Sequence, residues 1–156
     1  MNIRSAMPSD LAEMVAMNHP VQKYHARLRP DIIRSPDTHD MKPLFAEFLA
    51  KENFRVVVAE EPGGLVGLAI YEIRQRGETL ITCARSSVYV HQMSVAPERK
   101  RKGIGKALLQ YIRAQAKELG ITSVELDVWS ANATAKKFYK AIGFAPVRHV
   151  LEWREE

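Results

Sequence analysis

The chain has 156 residues, 46% of them hydrophobic and 26% charged, with a formal net charge of +5. That balance excludes global disorder and suits one domain, 1–156, able to bury about two thirds of its unfolded surface. The single cysteine, Cys83, excludes an intrachain disulfide and a thiolate zinc site; with no apolar run of signal-peptide or membrane-span length, a cytoplasmic protein without membrane contact or bound metal is expected.

In chain order, residues 2–6 read as a short strand. Pro8-Ser9-Asp10 opens a helix, with Ser9 or Asp10 as cap and Leu11, Met14, Val15 and Asn18 at helical spacing. Residues 19–37 hold Pro20, Pro30 and Pro36 and read as irregular. A second helix over 40–51 places Leu44, Phe45, Phe48 and Leu49 on one face. Residues 54–59 are a valine-rich strand, and Glu61-Pro62-Gly63-Gly64 turns the chain into a second strand over 65–74. Gly67 within it marks a bulge or a close approach of another backbone. A turn at Arg76-Gly77-Glu78 and a loop precede the strand 86–95.

The pattern then changes. Residues 103–119 form a long amphipathic helix through Ile104, Ala107, Leu108, Tyr111, Ile112 and Ala116, with Gly120 as its C-terminal cap. A strand over 124–128, a helix over 131–142 closed by Gly143 and an extended stretch over 144–153 complete the chain. Strand, helix and strand in this half imply a right-handed crossover and a partly parallel sheet, so the fold class is α/β or α+β with a mixed sheet.

Arg99, Lys100, Arg101, Lys102 and Lys106 cluster around Gly103 and Gly105, where a strand feeds through a loop into a helix. The first turn of a helix has unpaired N–H groups and about half a positive charge, and glycines let an anion come close to the backbone. The segment is therefore a phosphate-binding candidate. It is neither a Walker A loop nor a Rossmann fingerprint, since both need glycine spacings absent here. A solvated basic surface or a nucleic-acid patch would explain the charge alone, but there is no interleaved aromatic platform, and no nucleic-acid partner is expected.

The neighbours of the loop narrow the reading. Upstream stands Met93-Ser94-Val95-Ala96-Pro97; downstream come Val124-Glu125-Leu126-Asp127-Val128 and then Asn132-x-x-Ala135-x-x-Phe138-Tyr139 with Gly143-Phe144. With Lys100-x-x-Gly103-x-Gly105 between them, residues 88–144 resemble the GNAT superfamily of acetyl-CoA-dependent N-acetyltransferases. The resemblance implies a mixed, mostly antiparallel sheet with a V-shaped splay and about four flanking helices. It implies transfer of an acetyl group from acetyl-CoA to a primary amine on a small molecule, peptide or protein, in a ternary complex; a non-catalytic acetyl-CoA sensor is the alternative. Two departures stand out. Lys100 occupies a place where the family commonly has Gln or Arg. Only 12 residues follow Phe144, which leaves the last strands short, merged or completed by a second subunit, with a homodimer as one candidate assembly.

Carried over residue by residue, the resemblance assigns Met93, Ser94 and Val95 to the pantetheine arm, chiefly through the backbone of Met93 and Val95. Lys100, Arg101, Lys102, Gly103, Ile104, Gly105 and Lys106 go to the pyrophosphate, with Arg99, Lys100 or Lys136 as candidates for the 3′-phosphate. Asn132 is a cofactor contact or a helix cap. Tyr139 becomes the acid that protonates the departing thiolate. Period-two alternation puts Tyr89, His91, Met93 and Val95 on one strand face, and His91, with an ordinary pKa of about 6.5, is the candidate base; Glu72 is a lesser alternative. The Arg and His content of residues 19–40 hints at an acceptor bearing a carboxylate or phosphate.

Overall fold

Two apolar runs, Val56-Val57-Val58-Ala59 and Val66 to Tyr71, are buried along their whole length, so helices must cover both faces of the strands that carry them. A computed structural model describes residues 1–155. Its five strands are β1 (Asn2–Ser5), β2 (Phe54–Glu61), β3 (Gly64–Arg76), β4 (Arg85–Val95) and β5 (Val124–Leu126). They lie side by side in sequence order. Every neighbour pair is antiparallel except β4 and β5, which run parallel because a helix crosses between them. The helices are α1 (Leu11–Leu28), α2 (Lys42–Ala50), α3 (Ile104–Glu118) and α4 (Ala133–Ala141).

Alternation sorts the core into two layers. Val57, Ala59, Ala69, Tyr71, Val88 and Val90 face α3, meeting Ile104, Leu108, Leu109, Ile112 and Ala116. Val56, Val58, Leu68 and Ile70 face the other way, onto Met14 and Met17 of α1 and Phe45 of α2. Gly67 serves the close approach anticipated for it. A Cβ there would lie 2.7 Å from the Ile104 side chain and 3.1 Å from that of Leu108. Its missing side chain seats the first turns of α3 directly on β3.

Three elements differ from the sequence expectation. Residues 19–28 are helical, because α1 runs on through Pro20. The proline forfeits one backbone bond, but Met14, Met17 and Asn18 anchor the helix to the sheet, and His19 and Lys23 beyond it both bond Asp37. β5 ends at Leu126, earlier than the apolar pattern. The stretch 144–153 forms no strand, and beyond Phe144 no backbone group up to residue 155 bonds another described backbone group.

Candidate active site

β4 and β5 pair only over Val88–Val90 against Val124–Leu126. β4 then continues to Val95 while β5 stops, so the two diverge and leave one edge of β4 open. The orientation of its backbone groups follows from two bonds: Ala96 N–H donates to Val66 of β3, and Val88 N–H donates to Ser123 beside β5. Alternation back from Ala96 turns Ser94 toward β3 and leaves the N–H and C=O of Met93 and Val95 facing the gap.

A β-bulge sits at the point of divergence. Tyr71 pairs with Val90 and Ile70 with Gln92, so His91 has no partner on β3. The extra residue resets the alternation. Val88 and Val90 face α3, and so do Met93 and Val95; Tyr89 and His91 therefore face the opposite side. The expectation that residues 89, 91, 93 and 95 share a face is corrected: His91 and Tyr89 lie across the sheet from Met93 and Val95.

On its own side His91 is tightly held. Its ring stacks on Phe54 at 5.0 Å and meets Tyr89 edge-on at 4.8 Å. Its Nε2 lies 2.8 Å from Glu72 Oε2, which also accepts from Arg74 Nε, while Glu72 Oε1 accepts from Asn53. Burial raises the Glu72 pKa, but the bonds from Arg74 and His91 outweigh it and leave it below the usual carboxylate value. An ionised carboxylate only accepts, so His91 Nε2 donates to Glu72, and Nδ1 is the ring nitrogen without a partner among the described residues. Tyr89 donates to Asp127 at 2.6 Å, at the throat of the divergence. Burial and that carboxylate push its phenol up to about 12.

The α3 end of the gap is built from the basic loop. Pro97–Arg99 makes a short 3-10 turn, and the chain then enters α3 through Gly103, at φ +84°. Arg101 also holds a positive φ of 62°, a strained setting worth about 1–2 kcal/mol for a residue with a side chain. No side chain caps α3, so the N–H groups of its first turn are free of protein side-chain acceptors. Lys100, Arg101, Lys102 and Lys106 make no ion pair among the described residues, whereas Arg99 is bound to Glu61 at 2.8 Å. Gly105 faces inward. A Cβ on it would stand 3.2 Å from Phe138 and 3.8 Å from Met93, so the helix start, β4 and α4 converge there.

α4 brings Tyr139 to the same side. Its ring packs edge-on against Phe138 at 5.1 Å and Phe144 at 5.6 Å, within the α3-facing core. Burial pushes its phenol up to about 12, and its hydroxyl makes no hydrogen bond to another described residue. Asn132 caps α4, its Oδ1 accepting from Ala135 N–H at 3.1 Å. Lys136 Nζ is hydrogen-bonded to the Ser130 carbonyl at 3.3 Å.

The profile of the acetyltransferase (GNAT) family matches residues 18–144. The chain belongs to this family. Among its relatives is mycothiol acetyltransferase of Propionibacterium freudenreichii, 29% identical over 143 residues, or 88% of this chain and 41% of that protein. The peptidyl-lysine N-acetyltransferase YiaC of Escherichia coli is 37% identical over 70 residues, 44% of this chain and 42% of its own length. These alignments span about two fifths of either relative. The L-amino acid N-acyltransferase MnaT of Escherichia coli is 27% identical over 146 residues, covering 92% of this chain and 79% of MnaT. In three dimensions the chain superposes on a tetramutant of the BH1408 protein of Bacillus halodurans with a TM-score of 0.94, at 26% identity and over 99% of this chain and 100% of that one. The aminoglycoside N-acetyltransferase AAC(6′)-Iy, solved in complex with CoA, shares the fold with a TM-score of 0.73 at 17% identity, over 99% of both chains.

In this GNAT domain the sequence-selected residues thus fall into two groups. Met93, Val95, the loop from Lys100 to Lys106 and the helix carrying Asn132, Lys136 and Tyr139 gather around the gap beside β4. Ser94 turns away, its hydroxyl donating to buried Asn18 of α1 at 3.0 Å. His91 stands on the other face. Sequence reasoning missed Asp127 as a site residue, the Phe54 and Phe48 wall around His91, and Gln92, whose Oε1 is buried without a partner among the described residues. Pairing Tyr89 with Asp127 needs the parallel register, which no sequence spacing announces. Arg29 pairs with Asp31 and Glu152, and His19 with Asp37. The anion-recognition hint in residues 19–40 therefore loses two of its side chains to internal partners.

Proposed function

We propose that this chain transfers the acetyl group of acetyl-CoA directly to a primary amine carried by a small molecule, peptide or protein. The observation that carries the reading is the open edge of β4, whose Met93 and Val95 backbone groups border a gap ended by the uncapped N-terminus of α3. The free groups on Met93 and Val95 suit the amides of a pantetheine arm, as an added strand would. N–H groups over residues 101–106, with the Lys100, Arg101, Lys102 and Lys106 side chains, suit a pyrophosphate. Lys136, and the Asn132 amide nitrogen left free by the cap, are candidates for the rest of the nucleotide.

The two faces of β4 divide the proton chemistry. His91, its Nε2 fixed by Glu72, presents Nδ1 on the face of Tyr89 and Asp127, where the acceptor amine arrives. His91 takes the ammonium proton and passes it to solvent; the neutral amine forms the new C–N bond, the C–S bond breaks as the tetrahedral intermediate collapses, and the second nitrogen proton is lost to solvent, from which the Tyr139 phenol is restored. Tyr139, on the opposite face with Met93, gives its phenolic proton to the leaving thiolate. The Met93 N–H, which faces the gap, suits the oxyanion formed on the way. A phenol raised to about 12 remains protonated through the physiological range, as an acid must.

The test is thiol release from acetyl-CoA over amino acids, peptides with free N-termini or lysines, polyamines and aminoglycosides, with the acetylated product identified by mass. Amine-dependent release supports the reading. Saturable acetyl-CoA binding without release across all these classes favours a sensor.

A further inference from the structure

β3 outlasts its neighbour on one side. β2 begins at Phe54, opposite Glu72, so β3 from Ile73 to Arg76 runs on with β4 alone. β5 in turn reaches β4 only from Val88 onward, and the two long strands leave the sheet as an arm. One bond fixes which edge each backbone group takes: Ile73 N–H donates to the Asn53 carbonyl, on the β2 side, at 2.8 Å. Alternation turns Gln75 to that same side, while Arg74 and Arg76 turn their backbone groups to Ser87 and Arg85 of β4. The Ile73 C=O and the N–H and C=O of Gln75 therefore face outward, with no backbone partner among the described residues. A groove of about 780 Å³ runs beside this edge, lined by Glu52, Asn53 and β3 from Glu72 to Arg76, and only Ile73 among these is apolar.

The groove leads into the side of the sheet where His91 stands. Glu72 lines it and also lies 2.8 Å from His91 Nε2, and Asn53, at the groove's end, donates to the other Glu72 oxygen at 3.0 Å. Period two puts Arg74 and Arg76 on the same face as Glu72. We infer that the groove takes an extended segment of peptide or protein as an added strand, and that this segment carries the acceptor amine to His91. The amine's fate rests on the acetyl-transfer reading above; the peptide rests on the free edge. Unpaired C=O and N–H groups in strand alternation, beside a polar groove, are what a peptide backbone satisfies and a small amine leaves open. Gln75 lies three residues from Glu72, about 10 Å along the strand. An acceptor that reaches both must span that distance, so a single amino acid is too short.

Two alanine series test this, one with a free N-terminus and one N-acetylated and ending in lysine amide, each from one residue to six. An N-terminal amine reaches His91 if the added strand runs parallel to β3, and a C-terminal lysine does so if it runs antiparallel. kcat/KM is expected to rise at least tenfold with length in one series. In the six-residue peptide of that series, N-methylation of the amide that bonds β3 lowers kcat/KM at least fivefold, and methylation of the next amide, which faces away, lowers it less. Gln75→Pro deletes an N–H that lies outside the β3–β4 ladder and lowers kcat/KM for the same peptide at least fivefold, with circular dichroism reporting the fold. Amide NMR spectra of the labelled chain with coenzyme A present read binding apart from turnover, and the six-residue peptide is expected to shift the Gln75 amide. Equal kcat/KM at every length in both series overturns the inference, as do peptide kinetics indifferent to both N-methylation and Gln75→Pro, or a Gln75 amide that neither peptide shifts; acetylation of single amines then leaves the transfer reading standing. A shifted Gln75 amide with no acetylation of any peptide or amine supports the groove and overturns the transfer reading instead.

Discussion

Tyr139 and His91 are each set by their immediate surroundings. Tyr139 lies among Phe138, Phe144 and the α3-facing core, with nothing to stabilise a phenolate. It therefore stays protonated through the physiological range, as the proposed acid must. Tyr139→Phe keeps the packing and removes the proton, so turnover at saturating substrates falls at least tenfold while acetyl-CoA affinity stays nearly unchanged; steady-state kinetics with calorimetric titration measures both. The proposed base, His91, takes a proton from the acceptor ammonium. His91→Ala is expected to lower kcat/KM and to change the shape of the pH–rate profile, and a variant that kept the wild-type profile would remove His91 from the base role. The identities of these residues were legible in the sequence, but the side of the sheet on which His91 stands was not. Strict alternation predicts one face; the bulge at His91 adds a residue that no Gly or Pro announces, and the proposed base and acid end on opposite faces.

The site's geometry depends at the level of elements on how closely α3 approaches the sheet. Gly67 was legible as a close-approach position, although the sequence did not say which element arrives. A side chain there meets Ile104 and Leu108. Gly67→Val pushes the start of α3 away, destabilises the fold by about 1–3 kcal/mol in denaturant unfolding, and weakens acetyl-CoA binding, because the displaced helix end is the proposed anion site. Leu108→Ala is the contrasting case. Leu108 is fully buried in the middle of the same contact, and its truncation costs about 2–5 kcal/mol with a smaller effect on affinity. Helix and strand identities in the second half followed from periodicity and glycine caps. The length of α1 did not, because Pro20 normally argues for a break and only tertiary contacts override it.

For the molecule as a whole, pH reads out the balance between the two ends of the titration range. Arg4 forms a two-pronged bond to Asp10, at 2.7 and 3.0 Å, tying β1 to the start of α1, and with the Met7 N–H it holds the Asp10 pKa below the ordinary value. A depressed carboxyl contributes stability above its unfolded pKa of about 3.9, and loses it as pH falls. Tyr71, buried, and Tyr139, half-buried, are both pushed up to about 12 by loss of solvent and contribute the opposite. Their share is complete below about pH 10, the unfolded tyrosine value, and is lost as pH rises toward 12. Thermal unfolding across pH is expected to show a plateau between these limits. Asp10→Asn lowers the plateau by about 2 kcal/mol and flattens its acidic shoulder. The mixed sheet was legible in the alternation of strand and helix in the second half, and its splay only through the resemblance to the GNAT superfamily. The end of the chain was not: residues 144–153 have strand periodicity, but periodicity does not say whether a partner strand lies within the same molecule.

The central claim is that the gap beside β4, closed by the start of α3, receives acetyl-CoA. Calorimetric titration of the folded chain with acetyl-CoA tests it most directly. One saturable site per chain is predicted, weakened by added salt because Lys100, Arg101, Lys102 and Lys106 supply attraction, weakened further by Gly105→Val, and insensitive to Tyr139→Phe. Absence of saturable binding by the folded protein, or binding that Gly105→Val and salt leave unchanged, would contradict it.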